Sequence, residues 1–195
     1  MNVAQIIDQL QHDAEFCEHL TAWRSFAPQP GAYADFPEAV RPELIEGLGK
    51  RGISQLYTHQ RDAFTALEAG KHVCVVTPTA SGKTLCYNLP VLNRLLKDGN
   101  SRALYLFPTK ALSQDQVAEL TETIEALDVK IGAYTFDGDT PSSARKAVRN
   151  AGHIVVTNPD MLHAGILPHH TIWIRLFENL RYVVIDEIHQ YRGVF

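Results

Sequence analysis

At 195 residues, with 45% apolar and 21% charged side chains, the chain has the composition of one globular domain with a sizeable core, which excludes a disordered or fibrous protein. Its formal net charge of −4 excludes a surface that holds polyanions by bulk charge alone. The acidity is local: residues 1–57 hold eight Asp/Glu against four Lys/Arg, whereas residues 58–195 hold fourteen of each. Three cysteines, Cys17, Cys74 and Cys86, are odd in number and lack C-x-x-C spacing, so a reducing, cytoplasmic compartment is expected in place of a disulfide framework or zinc site. No basic segment precedes an apolar core at the N-terminus, and no apolar run approaches membrane-spanning length, so no membrane partner is expected.

Val3, Ile6, Ile7, Leu10, Ala14, Cys17 and Leu20 recur at three- and four-residue steps and predict a helix over residues 2–26. Its apolar stripe docks either on the main domain or on a part of a larger protein. Pro28, Pro30 and Gly31 mark an irregular connector, and a second helix is expected from Pro37 to Lys50. Thr58 is a plausible N-cap for a third, ending near Glu68 before Gly70. From Lys71 the pattern alternates. Strands are predicted at 72–76, 102–107, 130–135, 153–157 and 181–185, with helices near 84–97, 110–127, 141–150 and 171–179. Cys74 falls in the first of these strands and is expected to be buried. The strands are short and nearly continuous in apolar character, as in a parallel sheet covered on both faces. The expected fold is α/β: a parallel sheet flanked by helices over residues 52–195, with a helical extension and connector over residues 1–51.

Two stretches carry chemistry. Thr77-Pro78-Thr79-Ala80-Ser81-Gly82-Lys83-Thr84 lies between an apolar run and a helical one, the layout of a phosphate-binding loop. Small residues let backbone N–H groups curl around an oxyanion, and the helix N-terminus adds its dipole. Lys83 supplies a charge for β- and γ-phosphates, and Thr84 a hydroxyl for Mg²⁺. Thr77 stands where the usual pattern has its first glycine, so on these residues alone an ordinary strand-turn-helix is an equal reading. The second stretch, Arg181-Tyr182-Val183-Val184-Ile185-Asp186-Glu187-Ile188-His189, ends an apolar strand in two adjacent carboxylates. Asp186 is placed to hold Mg²⁺ through water, and Glu187 to orient and deprotonate an attacking water.

With Gln60, Pro108-Thr109-Lys110-Ala111-Leu112 and Thr157-Asn158-Pro159-Asp160-Met161, these stretches resemble the ordered motifs of superfamily 2 helicases of the DEAD/DEAH-box type, in an Asp-Glu-Ile-His variant. The resemblance covers roughly residues 52–195 and implies the first of two RecA-like domains. The text around the loop, from Val76 to Pro90, and the run from Asp186 to Phe195 are similar to the MrfA- and Hrq-type DNA repair helicases, a branch in which Thr77 is at home. That branch implies 3′→5′ unwinding of DNA in preference to RNA.

The resemblance also implies roles. Gln60 matches the glutamine whose amide reads the adenine edge, and Tyr57 either stacks on the base or is a core aromatic. His189 either couples the ATP site to the second motor domain or caps a strand end. Pro108, Thr109 and Lys110 suit a nucleic-acid phosphate, with Gly138, Thr140 and Thr157 as further backbone contacts. Asp137-Gly138-Asp139-Thr140 reads equally as a plain turn. Arg145, Lys146 and Arg149 form a basic stripe that reads more simply as a solvated helix face. The family's motif III and second RecA-like domain, its arginine-finger donor and expected partner, do not follow within these 195 residues. The expectation is therefore part of a motor with little turnover alone. The alternative is a nucleotide-binding interaction module. A P-loop kinase or GTPase is disfavoured, because those layouts lack Asp-Glu-x-His and an upstream glutamine.

Overall fold

The computed structural model describes residues 2–27, 30–78 and 80–191. Thr79 and residues 192–195, which carry part of the motif text, lie outside the described residues. The chain divides into two compact units, Met1–Gly31 and Ala32–Phe195.

In the first unit Asn2 caps helix α1 (Val3–His12) through a reciprocal pair of 2.9 Å bonds with Gln5. The continuous helix expected over 2–26 does not form. Asp13 adopts an extended conformation, ends α1, and accepts from Phe16 N at 2.9 Å to start the short α2 (Ala14–Glu18). A carboxylate that can cap competes with helix continuation.

The second unit begins earlier than the expected boundary at residue 52. Within the connector, β1 (Tyr33–Ala34) pairs antiparallel with β2 (Leu56–Tyr57), Tyr33 opposite Tyr57. Between them α3 runs Pro42–Lys50, not from Pro37. Arg41, which precedes a proline, is held extended, and Pro42 takes the first helical position. Val40, Leu44 and Leu48 enter the core. The fully buried Asn93 accepts from Arg41 N and donates to Ala39 O, fastening this segment to the helix that carries it.

Helices α4 (Thr58–Glu68) and α5 (Lys83–Lys97) follow, then β3 (Arg102–Leu106), α6 (Lys110–Ala126), β4 (Ala133–Thr135), α7 (Ser142–Ala151) and β5 (Ile154–Thr157). A short α8 (Pro159–Met161) leads through tight helical turns to α9 (Ile174–Glu178), and then to β6 (Leu180–Ile185). The four longer strands form one parallel sheet in the order β4-β5-β3-β6. Strand periodicity explains their unbroken apolar runs. Ala103 and Tyr105 join Leu89, Leu92 and Phe107 on one face; Leu104 and Leu106 join Phe136, Ile166 and Trp173 on the other.

Coverage fails at β6, where Val183 and Ile185 are 53% and 47% exposed while Tyr182 and Val184 pack on the first core. The strand expected at 72–76 is not paired: residues 71–78 run without regular structure, and Cys74 is exposed. A cavity of about 580 Å³ lies between residues 73–77 and 182–189, so no ladder hydrogen bonds join the two runs. Among the described residues no helix is long and apolar enough to cross a membrane.

Candidate nucleotide site

Three elements meet at the phosphate-loop sequence. The loop turns through left-handed conformations at Ala80 (φ 60°) and Gly82 (φ 75°), and Gly82 caps α5. Only glycine fits the second position: a Cβ there would lie 2.7 Å from Gln60 Nε2. Thr77 Oγ1 and Ser81 Oγ share a 2.6 Å bond across the loop, and Lys83 Nζ donates to Thr77 O (3.0 Å) and Pro78 O (3.1 Å). The residue replacing the usual glycine thus uses its hydroxyl to brace the loop.

Tyr57, not the expected Thr58, is the N-cap of α4. Buried Gln60 accepts from Tyr57 N and donates to Gly82 O, both at 2.8 Å. Each half of its amide keeps unused capacity, one N–H and one oxygen lone pair. The Tyr57 ring stacks with Tyr33 (centroids 5.1 Å apart) and with His59 (5.6 Å). Tyr33 and His59 escaped the sequence reading, although His59 stands directly before Gln60.

Across the cavity β6 delivers Asp186 and Glu187. Asp186 N donates to Leu106 O, extending the β3 ladder by one bond, after which Glu187 turns left-handed at φ 49°. Lys83, Asp186, Glu187 and His189 line one cavity with Thr77. His189 Nδ1 lies 3.3 Å from Glu187 Oε2. Burial first, and then the Glu187 carboxylate, push the Asp186 carboxyl above the ordinary aspartate range, against the Glu187 N–H and the Lys83 ammonium. Such a carboxylate gains from an added cation.

The folded chain holds this proton more tightly than the unfolded chain, so stability falls as pH rises from the ordinary aspartate range through the raised value. Asp186→Asn is therefore expected to unfold at higher temperature than the parent above that window and to match it below. Thermal unfolding across acid to neutral pH measures this; parallel curves for the two proteins would show that Asp186 carries no such penalty.

The residues expected to meet nucleic acid are dispersed. Pro108 and Lys110 line a second cavity of about 260 Å³ with Asn158, Pro159 and Gln190. Thr109 caps α6 by accepting from Leu112 N, and Lys110 Nζ lies 2.5 Å from Asp139 Oδ2, which holds the ammonium above its usual range. Gly138 is exposed. Thr140 accepts from Asp137 N at 2.9 Å, closing the turn that was the alternative reading. Thr157 does not reach the surface: it is 1% exposed and its hydroxyl donates to Phe136 O at 2.6 Å, fixing the end of β5. Arg145 is not a purely solvated charge, since it donates to Thr140 O and lies 5.4 Å from the Phe136 ring centroid.

Residues 57–195 match the DEAD/DEAH box helicase family. The chain belongs to that family. This DEAD/DEAH box helicase domain is 53% identical over 189 residues to the uncharacterized ATP-dependent helicase YprA of Bacillus subtilis, covering 97% of the chain and 25% of that protein. It is 38% identical over 200 residues to the ATP-dependent helicase hrq1 of Schizosaccharomyces pombe, covering 100% of the chain and 19% of that protein. The crystal structure of the helicase MrfA bound to DNA and AMPPNP superposes with a TM-score of 0.87 at 50% identity, over 99% of the chain and 27% of that structure. These relatives make it an MrfA/Hrq-type superfamily 2 domain with a RecA-like fold, spanning about a fifth to a quarter of the proteins it matches.

Proposed function

We propose that this domain is the ATP-binding part of an ATP-dependent 3′→5′ DNA helicase acting in repair, working with a second RecA-like domain in a reducing, cytoplasmic setting. One observation carries the reading: Lys83 of the phosphate loop faces Asp186 and Glu187 across a single cavity, while Gln60 is bonded to the same loop at Gly82. Residues Thr77, Pro78, Ala80, Ser81, Gly82 and Lys83 cradle the phosphates, together with Thr79 by its sequence position. Gln60 directs its spare donor and acceptor at the adenine edge, beside Tyr57. Glu187 orients and deprotonates the attacking water, and His189, next to Glu187, relays the site's state to the partner domain.

The donor set fits a divalent ion. Asp186 is a half-buried carboxylate next to a second one, and Thr84 stands in the first turn of α5, directly after Lys83. When bound, Mg²⁺ would neutralise charge on the β- and γ-phosphates. Among the described residues no group of three His, Cys, Asp or Glu side chains is placed to hold a metal ion by itself, so most ligands would come from phosphate oxygens and water. Pro108, Thr109, Lys110, Gly138 and Thr140 are proposed to follow the DNA backbone, a sequence-tolerant mode that suits the neutral charge balance of residues 58–195. The DNA- and AMPPNP-bound state of MrfA supports DNA and an adenine nucleotide as the ligands.

Gln60→Ala tests the assignment. The variant is expected to lose most of its preference for an ATP analogue over the GTP analogue in competitive titration. An unchanged preference would remove Gln60 from the base site.

A further inference from the structure

His59 lies outside the roles assigned above, yet it touches the loop. Its Nε2 is 3.0 Å from Ser81 O. A carbonyl oxygen only accepts, so the proton of this bond sits on Nε2. The next residue, Gln60, donates to the next carbonyl, Gly82 O, at 2.8 Å. Two consecutive side chains on the first turn of α4 therefore grip two consecutive carbonyls at the tip of the loop.

The geometry of the trans peptide gives this pairing a meaning. In each peptide unit the C=O and the following N–H point in opposite directions. Holding Ser81 O toward His59 turns the Gly82 N–H away from α4. Holding Gly82 O toward Gln60 does the same to the Lys83 N–H. These are among the first N–H groups of α5, which have no acceptor within their own helix. We propose that His59 is a positioning residue of the phosphate loop, acting through Ser81 O to aim the Gly82 N–H at a bound phosphate, as the second half of a clamp whose first half is Gln60. The inference rests on the ATP site proposed above.

The His59 ring also stacks on Tyr57 at an interplanar angle of 11°, so a packing role is the competing explanation. Two variants separate them. His59→Gln discards the ring but keeps an N–H donor at the same number of bonds from Cβ. His59→Phe keeps the ring and discards the donor. The purified chain and both variants are titrated with a fluorescent ATP analogue and Mg²⁺, with Lys83→Ala alongside and thermal unfolding as a check on folding. The expected result is near-parental affinity for His59→Gln and a loss of about tenfold for His59→Phe, the scale of one hydrogen bond. Parental affinity in both variants, or loss in His59→Gln with retention in His59→Phe, would overturn the clamp while leaving the ATP site intact. A parent chain that binds no analogue, or a Lys83→Ala variant that binds as well as the parent, would instead overturn the ATP site and the clamp with it.

Discussion

Lys83→Ala is expected to weaken binding of an ATP analogue by roughly 30- to 150-fold, the loss of a charge-assisted contact of about 2–3 kcal/mol. Lys83 is the only cationic residue between Thr77 and Thr84, so no neighbour in the loop can replace it. Its ammonium sits on the Thr77 and Pro78 carbonyls, within reach of the space where the phosphates belong. Removing it deletes no core packing, because the side chain is only partly covered. Affinity should therefore fall while the unfolding temperature stays within a few degrees of the parent. Equal affinity in fluorescence titrations of the two proteins would refute the phosphate-loop assignment.

Trp173→Ala is expected to act in the opposite sense, unfolding the larger unit with no direct contact to the nucleotide. Trp173 is 1% exposed and packs edge-on against Phe136 with centroids 4.7 Å apart. Truncating such a residue costs about 3–5 kcal/mol, a large share of a domain's total of roughly 5–15. The indole Nε1 is buried with no hydrogen-bond partner among the described residues, so Trp173→Phe should cost much less than the alanine change. Urea unfolding compares the three proteins. An alanine variant within about 1 kcal/mol of the parent would mean that this face of the sheet is not part of the cooperative core.

Local chemistry was legible in the sequence, and non-local pairing was not. Helix α5 begins one residue from its expected start because Gly82 and the small residues before it mark the site, and α6 begins as expected because Thr109 caps it. The two internal strands, β3 and β5, were placed by their apolar runs, since both are covered on both faces. The run at 72–76 has the same composition, but a strand exists only with a neighbour, and the cavity beside β6 keeps these two apart. Tyr33–Ala34 was hidden for the converse reason: two residues in a Pro- and Gly-rich connector become a strand only because Leu56–Tyr57 lies opposite. At the site, residue types were informative and side-chain direction was not. Lys83, Asp186 and Glu187 line one cavity, whereas Thr157 stands in a motif and turns inward. Nothing in the sequence distinguished His59 from a solvated histidine except its place beside Gln60.

Strand β6 has one further consequence, for colloidal behaviour. Its outer edge has no strand neighbour among the described residues, and Tyr182-Val183-Val184-Ile185 is an uncharged, β-branched-rich run of the kind that templates self-pairing between chains. Arg181 bounds this run on one side, and Asp186 with Glu187 on the other. Charges so placed act as gatekeepers, because stacking copies would bring like carboxylates together. The two acids are thus placed where they would also oppose pairing between copies of the chain. A cation bound between them would relax that repulsion. Light scattering of the purified chain is accordingly expected to rise when Mg²⁺ is added without nucleotide, and a flat response would show that the edge is protected by other means.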